Sequence, residues 1–377
     1  MSKIVEVKPF VLGADGRNVT IVRIRTDDGL EGIGEGTINY RVRAIHGAVG
    51  DFATYLVGKD PTQIERHWQA LYRNSFFRGG PIQCTALSAV EQALWDIRGK
   101  VLGQPVWNLL GGAVRDRIRV YTHAGGPAPE AAAERALKLV AGGHRALKLG
   151  IPVTVEPVLD ERAVVATVAQ VRAVREAVGP DVDLMVDCHA KPTPPVALRL
   201  AQELAPYRLL FLEEPIPPEN VDVLATIARA SPVPIATGER LYTRWGFREV
   251  VERQAAAVLQ PDLGHAGGIL EVKKIAALAE TYYASLAPHN PRGPVVTMAS
   301  LHVAACTPNF VIQEMISSDP LRAEMLVEPL RVVDGYVELP TAPGLGVRFD
   351  ESLVERFPAH LRDTPHPAQA DGGVADW

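Results

Sequence analysis

Hydrophobic positions along this chain change period where its architecture should change. Between Thr20 and Gly36 apolar and polar residues alternate about Asp28-Gly29, the pattern of two strands joined by a turn that demands positive φ. From Ala86 to Arg98 the apolar set Leu87, Val90, Leu94 and Ile97 recurs at helical spacing, and Gly103 followed by Pro105 supplies a stop. Residues 1–117 are therefore expected to form an α+β domain.

After Gly112 the pattern becomes short β-rich runs, most followed by an alanine-rich amphipathic stretch, as in a parallel sheet with crossover helices. The runs are Val120–His123, Ala146–Leu149, Asp183–Asp187, Leu209–Leu212, Pro234–Thr237, Ala257–Gln260, Ala284–Ala287 and Asn309–Ile312. Intervening helices are expected over Pro157–Ala177, Val196–Leu204, Val221–Ala230, Phe247–Arg253 and Ile269–Thr281. Eight runs suit a closed barrel, so the fold class is α/β with a (β/α)7β TIM-type barrel over 118–330. Arg331–Leu339 reads as a further hairpin through Asp334-Gly335, and the segment 331–377 is expected to return to the first domain. Its tail from Thr364, rich in Pro, Ala, Gly and Asp, is loosely held unless it docks there.

Composition narrows the function. A net charge of -5 with interspersed signs offers no attractive field to nucleic acid or an anionic membrane, so a small ligand fits better. Cys84, Cys188 and Cys306 show no CxxC spacing and are too few for a disulfide framework, which favours a reducing cytoplasm. Met1–Gly13 lacks the apolar core of a secretory signal, and no run reaches membrane-spanning length.

The strongest signal is a register of acidic residues and histidines at the ends of six consecutive candidate strands: Asp187, Glu213, Glu239, Asp262, His289 and Glu314. Their separations of 26, 26, 23, 27 and 25 residues advance one β/α unit each, so the side chains converge on one barrel mouth. One such residue alone would be a helix cap or a solvated charge. Several unpaired carboxylates in one mouth repel each other and resist desolvation unless a cation compensates them. Asp187, Glu213 and Glu239 offer hard oxygen donors, which points to magnesium. Asp187 and His189 lie two apart and face the same side of a strand, with Cys188 on the other. Asp262 stands on the strand next to His289, where a carboxylate would fix that ring's tautomer.

The runs MVDCHA, FLEEP, ATGER, LQPDLGHAGGI, APHNPRGP and IQEM, with FRGGP, TALSAVEQALWDIRGK and LLGG, resemble the enolase superfamily. The nearer likeness is to its mandelate racemase-like branch and the sugar-acid dehydratases within it, over almost the whole chain. The resemblance implies an N-terminal capping domain completed by the C-terminal segment. It implies a magnesium-dependent hydro-lyase that converts an aldonate-type, galactonate-like acid to a 2-keto-3-deoxy acid through an enediolate. It also implies a symmetric homo-oligomer. In that family the first glutamate of Glu-Glu-Pro, here Glu213, binds magnesium, and Glu214 is left as an indirect or structural partner. His289 would remove the α-proton, Asp262 would orient it, and His189 would protonate the departing β-hydroxyl. Glu314 would donate or share a hydrogen bond with the substrate carboxylate, best as a protonated acid.

On the second strand, RALKLG carries one lysine where racemases of the family carry Lys-x-Lys, which favours dehydration over two-base racemisation. Lys148 is a substrate-binding candidate that serves equally well to neutralise a ligand carboxylate or to form a structural ion pair; Arg240 is the other substrate-binding candidate. His265 is not assigned a role, and the glycines of HAGGI lack a phosphate-loop signature. Loops 13–18 and 37–43 are expected over the mouth by analogy. The rivals are a racemase or epimerase of a related hydroxy acid, and a barrel that binds metabolites without turnover.

Overall fold

The computed structural model describes the chain except residues 1, 15, 74–75, 152–160, 292, 317, 362–363, 370 and 375–377. Strands β1 (Ile4–Ala14), β2 (Arg17–Thr26) and β3 (Glu31–Glu35) form an antiparallel sheet, with Gly29 in the left-handed region at the β2–β3 turn. Helices α1 (Val42–Leu56), α2 (Ile64–Arg73) and α3 (Pro81–Leu102) pack beside it. The stripe Leu87, Val90, Leu94 and Ile97 of α3 joins Val22, Ile24, Ile45 and Val49 in one apolar core, and Gly103 ends the helix in the left-handed region as expected. Gly32, Gly34 and Gly36 let the chain lie directly on α3: a Cβ at each would sit inside contact distance of the Ala93, Ala89 and Thr85 carbonyls. The opposite face of α3 is polar and buried. Ser88 Oγ accepts from Gly267 N at 2.9 Å, Gln92 Nε2 donates to Leu263 O at 3.1 Å, and Glu91 accepts from Ile269 N and Leu270 N. That seam fastens the first domain to the barrel.

Past the short α4 (Val106–Leu109) runs the barrel: β4 (Arg117–His123), α5 (Pro129–Ala141), β5 (Ala146–Gly150), α6 (Glu161–Val178), β6 (Asp183–Asp187), α7 (Pro194–Leu204) and β7 (Phe211–Glu213). It continues with α8 (Val221–Ala230), β8 (Ile235–Thr237), α9 (Thr243–Glu252), β9 (Val258–Leu259), α10 (Ile269–Glu280), β10 (Ser285–Leu286), α11 (Pro294–Ala305) and β11 (Gln313–Glu314). All are parallel in the order β10-β9-β8-β7-β6-β5-β4-β11, and the ring closes where Leu286 pairs with Phe310. The (β/α)7β expectation holds. Residues 157–160 of the first expected barrel helix lie outside the described residues; its remainder is α6. The expected eighth strand, Asn309–Ile312, is displaced: only Phe310 and its neighbours meet β10, whereas the ladder with β4 falls on Gln313–Glu314.

Beyond α12 (Pro320–Met325), the expected hairpin forms with Asp334 and Gly335 both at positive φ, leading into β12 (Tyr336–Glu338). It does not join the first domain. β12 pairs antiparallel with Arg117–Arg119 of β4, whose backbone there has no other strand partner because β5 and β11 reach only its later residues. The chain returns to the first domain afterwards. Phe349 packs on Phe10, Glu351 pairs with Arg23, α13 (Ser352–Arg356) follows, Phe357 O accepts from Gly13 N, and Arg41 donates to Thr364 Oγ1.

Candidate active site

Each barrel strand or strand end contributes one residue to an inner apolar cluster: Tyr121, Ala146, Met185, Phe211, Ala236, Val258, Ala287 and Ile312. Strand side chains alternate faces, so the residue two further on projects from the same interior face, nearer the C-terminal end. Those positions are His123, Lys148, Asp187, Glu213, Gly238, Gln260, His289 and Glu314. Apolar packing below thus fixes a polar ring above. Glu239 follows Gly238, whose φ of +141° reorients the chain, and Asp262 lies two residues past Gln260.

Lys148 is the hub of this ring. Its ammonium is buried and stands 2.9 and 3.0 Å from the two oxygens of Glu213, 2.8 Å from Glu314 Oε1 and 3.5 Å from Asp187 Oδ2. Burial works against its charge, but Glu213 and Glu314 outweigh that and raise its pKa well above the ordinary lysine value. Glu213 is nevertheless pushed well above the carboxylate range, by burial first and by Asp187 next. The two shifts agree once one ammonium is divided among several carboxylates: the lysine stays charged and Glu213 stays short of positive charge. These ion pairs are common to both roles left open for Lys148, neutralising a ligand carboxylate and forming a structural pair. Its donors are spent on them.

Glu314 is met by three donors. Oε1 accepts from Lys148 and lies 2.5 Å from His123 Nε2, while Oε2 accepts from Asn290 N at 2.7 Å. Burial raises its pKa, but Lys148, His289 and His123 overcome it and hold the carboxyl well below the usual range. Three donors thus converge on the Glu314 carboxyl, an arrangement that favours its charged form.

His289 has Nδ1 2.8 Å from Asp262 Oδ2, the expected pair, and Nε2 2.8 Å from Glu239 Oε2. Burial opposes its charge, yet Glu239 and Glu314 raise its pKa well above that of free histidine; correspondingly Glu239, although buried, is drawn down to about 2 chiefly by His289. Asp262 Oδ1 also accepts from Gly264 N at 2.6 Å, so the orienting carboxylate is itself fixed. His189 has a left-handed backbone that lets its N–H reach Asp187 Oδ1 at 2.7 Å, and its side chain lines the same cavity. Cys188 between them is fully buried, as expected of a packed thiol. Glu214 turns away from the ring and accepts from Thr237 Oγ1 and Gly238 N, bracing the turn that carries Glu239; this is its structural role.

Among the described residues no three His, Cys, Asp or Glu side chains stand as a ready ligand set, because Lys148 and His289 occupy the carboxylates. The donor chemistry nonetheless fits magnesium. Asp187 and Glu213 are register partners on adjacent strands, Glu239 follows the next strand, all three offer hard oxygen donors, and Glu213 is short of countercharge. Among the described residues, the Tyr121 hydroxyl and both amide atoms of Gln260 are buried without partners, as around a site that takes up further polar atoms.

A cavity of about 560 Å³ opens over the ring, walled by His123, Lys148, Asp187, His189, Glu239 and His289. Arg17 and Thr37–Tyr40 of the first domain complete it, as the loop expectation held, together with Thr364 and Pro365 of the C-terminal segment. Arg240 stands at the rim, 3.5 Å from Glu219 Oε1. His265 Nδ1 is 2.9 Å from Thr85 Oγ1. Glu35 reaches across from β3 to accept from Val295 N and Val296 N at the start of α11; burial pushes its carboxyl up to about 8 despite those donors. Sequence reasoning missed His123 and Glu35. The first had a signal: it ends the first candidate strand, 25 residues before Lys148, which is the spacing of His289 and Glu314.

Known proteins resemble this chain over almost its whole length. Residues 3–111 match the family model of the mandelate racemase / muconate lactonizing enzyme N-terminal domain, and residues 131–353 match the enolase C-terminal domain-like model. D-Galactonate dehydratase of Ralstonia pickettii (strain 12J) is 42% identical over 94% of this chain and 96% of its own. The enzyme of the same name from Ralstonia nicotianae (strain ATCC BAA-1114 / GMI1000) is 43% identical over the same shares, and both are hydro-lyases by name. An enolase of Agrobacterium radiobacter, a galactarate dehydratase candidate solved with sodium and L-malate, superposes with a TM-score of 0.92 at 34% identity over 99% of each chain. The chain belongs to the mandelate racemase / muconate lactonizing enzyme family of the enolase superfamily.

Proposed function

We propose that this protein is a magnesium-dependent dehydratase of a galactonate-like sugar acid, releasing water to give a 2-keto-3-deoxy acid. The observation that carries the reading is His289, held at Nδ1 by Asp262 and facing the carboxylate ring with Nε2, in a cavity also lined by His189. The names of the relatives support the substrate class.

Asp187, Glu213 and Glu239 would hold magnesium, which when bound stabilises the negative charge that grows on the substrate carboxylate. His289 would take the α-proton at Nε2 once Glu239, which now pairs with that nitrogen, is drawn to the magnesium and the ring is neutral, and Asp262 would stabilise the resulting imidazolium by accepting from Nδ1. The electron pair released at the α-carbon passes through an enediolate and expels the β-hydroxyl. His189 gives that group a proton so that it leaves as water. The enol then becomes the ketone, and one molecule of water is lost in balance. Lys148 keeps the buried Glu213 and Glu314 charges compensated throughout. Arg240 at the rim is placed by this reading on the far end of the acid.

Incubation of sugar acids with the protein and Mg2+ in deuterated water tests the reading. Dehydration yields a ketone. Deuterium uptake with inverted configuration and no ketone would assign racemisation or epimerisation instead, and no reaction with any acid would sink both.

A further inference from the structure

His123 is a member of the polar ring to which the proposed chemistry gives no task. It ends β4, its side chain is 36% exposed, and it forms part of the cavity wall. One ring nitrogen is committed: Nε2 lies 2.5 Å from Glu314 Oε1. Among the described residues nothing hydrogen-bonds Nδ1.

The partner decides which nitrogen carries hydrogen. Glu314 is fully buried and already takes Lys148 on the same oxygen and Asn290 N on the other, so it accepts from His123 and has no proton to offer. Nε2 is then the N–H, and whenever the ring carries a single proton Nδ1 is presented as a lone pair. A lone pair matches a hydroxyl donor. It does not match a carboxylate, which brings acceptors only.

We propose that His123 is a specificity-determining residue whose Nδ1 accepts a hydrogen bond from a chain hydroxyl of a polyhydroxy acid, with Glu314 fixing the tautomer. The inference rests on the sugar-acid reading of this same cavity. It assigns the first barrel strand to reading the polyol part of the ligand, apart from the proton transfers.

Two substitutions separate this role from simple support of Glu314. In His123→Gln the amide nitrogen stands where Nε2 was and keeps the bond to Glu314, but no acceptor remains at the Nδ1 position. In His123→Asn the carbonyl oxygen takes the Nδ1 position and the bond to Glu314 is lost. The probes are the hexonate that binds the Mg2+-loaded wild-type protein most tightly and its 4-, 5- and 6-deoxy analogues. Calorimetry gives affinity, and kcat/KM is added where turnover occurs. Wild type should prefer the hexonate over one deoxy analogue by about tenfold, the weight of one neutral hydrogen bond. His123→Gln should bring that ratio close to one through KM, and His123→Asn should retain most of it.

An unchanged ratio in His123→Gln, equal losses for every acid, or loss of the ratio in His123→Asn alone would overturn the assignment. Because affinity is read separately, a protein that binds hexonates without dehydrating them refutes the dehydratase reading while His123 is still tested. A wild-type protein that binds none refutes both.

Discussion

Replacing Lys148 by Met removes the ammonium at the centre of the ring and keeps the length of the side chain. Glu213 and Glu314, both fully buried, lose a donor at 2.8–3.0 Å, and Asp187 loses a charge at 3.5 Å. Breaking a buried ion pair from one side costs about 3–5 kcal/mol, because the remaining charge stays desolvated without its partner. At roughly 2 °C per kcal/mol for a chain of this size, the variant should melt ~6–10 °C below wild type in EDTA. Saturating Mg2+ should recover much of that loss, since a divalent ion among Asp187, Glu213 and Glu239 supplies the missing charge. The Mg2+-induced rise in Tm should therefore be larger in the variant than in wild type. Differential scanning calorimetry of both proteins, with and without Mg2+, measures all four values. Equal melting in EDTA, or the same Mg2+ response in both, would refute the view that the lysine and the ion compensate one set of carboxylates.

Three further outcomes follow from the same contacts. Glu35, raised to about 8 in the fold, binds more protons folded than unfolded from about pH 4.5 upward, so its contribution is full below that range and is lost as pH rises through 8. Glu35→Gln should flatten the fall in urea midpoint between pH 5.5 and 8 by up to about one proton, or ~1.4 kcal/mol per pH unit; an unchanged slope would remove Glu35 as its source. Gly293 lies at φ +93° against the Glu35 carboxylate, so Gly293→Ala should lower stability by at least about 1–3 kcal/mol in the same titration; wild-type stability would contradict the close approach. Asp187→Asn should abolish Mg2+ binding by calorimetry, whereas His289→Asn should spare it and lower kcat by about 10²–10⁴-fold; unaltered turnover in either would unseat the assigned role.

Much of the barrel was readable because its strands carry a side-chain period of two and its mouth residues recur once per β/α unit. Six ring or mouth residues, Asp187 through Glu314, were found from spacing alone. Lys148 lies outside that register, 39 residues before Asp187; its place on the second strand made it a candidate to neutralise a ligand carboxylate, but which carboxylates it meets had no sequence signal. Helix α11 was missed for another reason: every residue from Pro294 to Ala305 is buried, and a helix covered on all sides shows no amphipathic period. The state of Glu314 was beyond sequence reasoning as well, since it depends on three donors from β4, β5 and the loop after β10. The polar face of α3 is plain in composition, but only its partners at Leu263, Gly267 and Ile269 distinguish a docking seam from a solvated stripe.

The late crossing of the chain back to its start has a consequence for biosynthesis. Phe357 O is bonded by Gly13 N, Asn18 and His360 bond to each other twice across 342 positions, and Thr364 is held by Arg41 while walling the cavity. A polypeptide emerging from the ribosome can pair β1 with β2 early, but one wall of its ligand chamber is missing until Thr364 and Pro365 have been translated and have cleared the exit tunnel. A complete chamber is thereby deferred to chains that extend at least to Pro365, and products that stop short of it lack that wall.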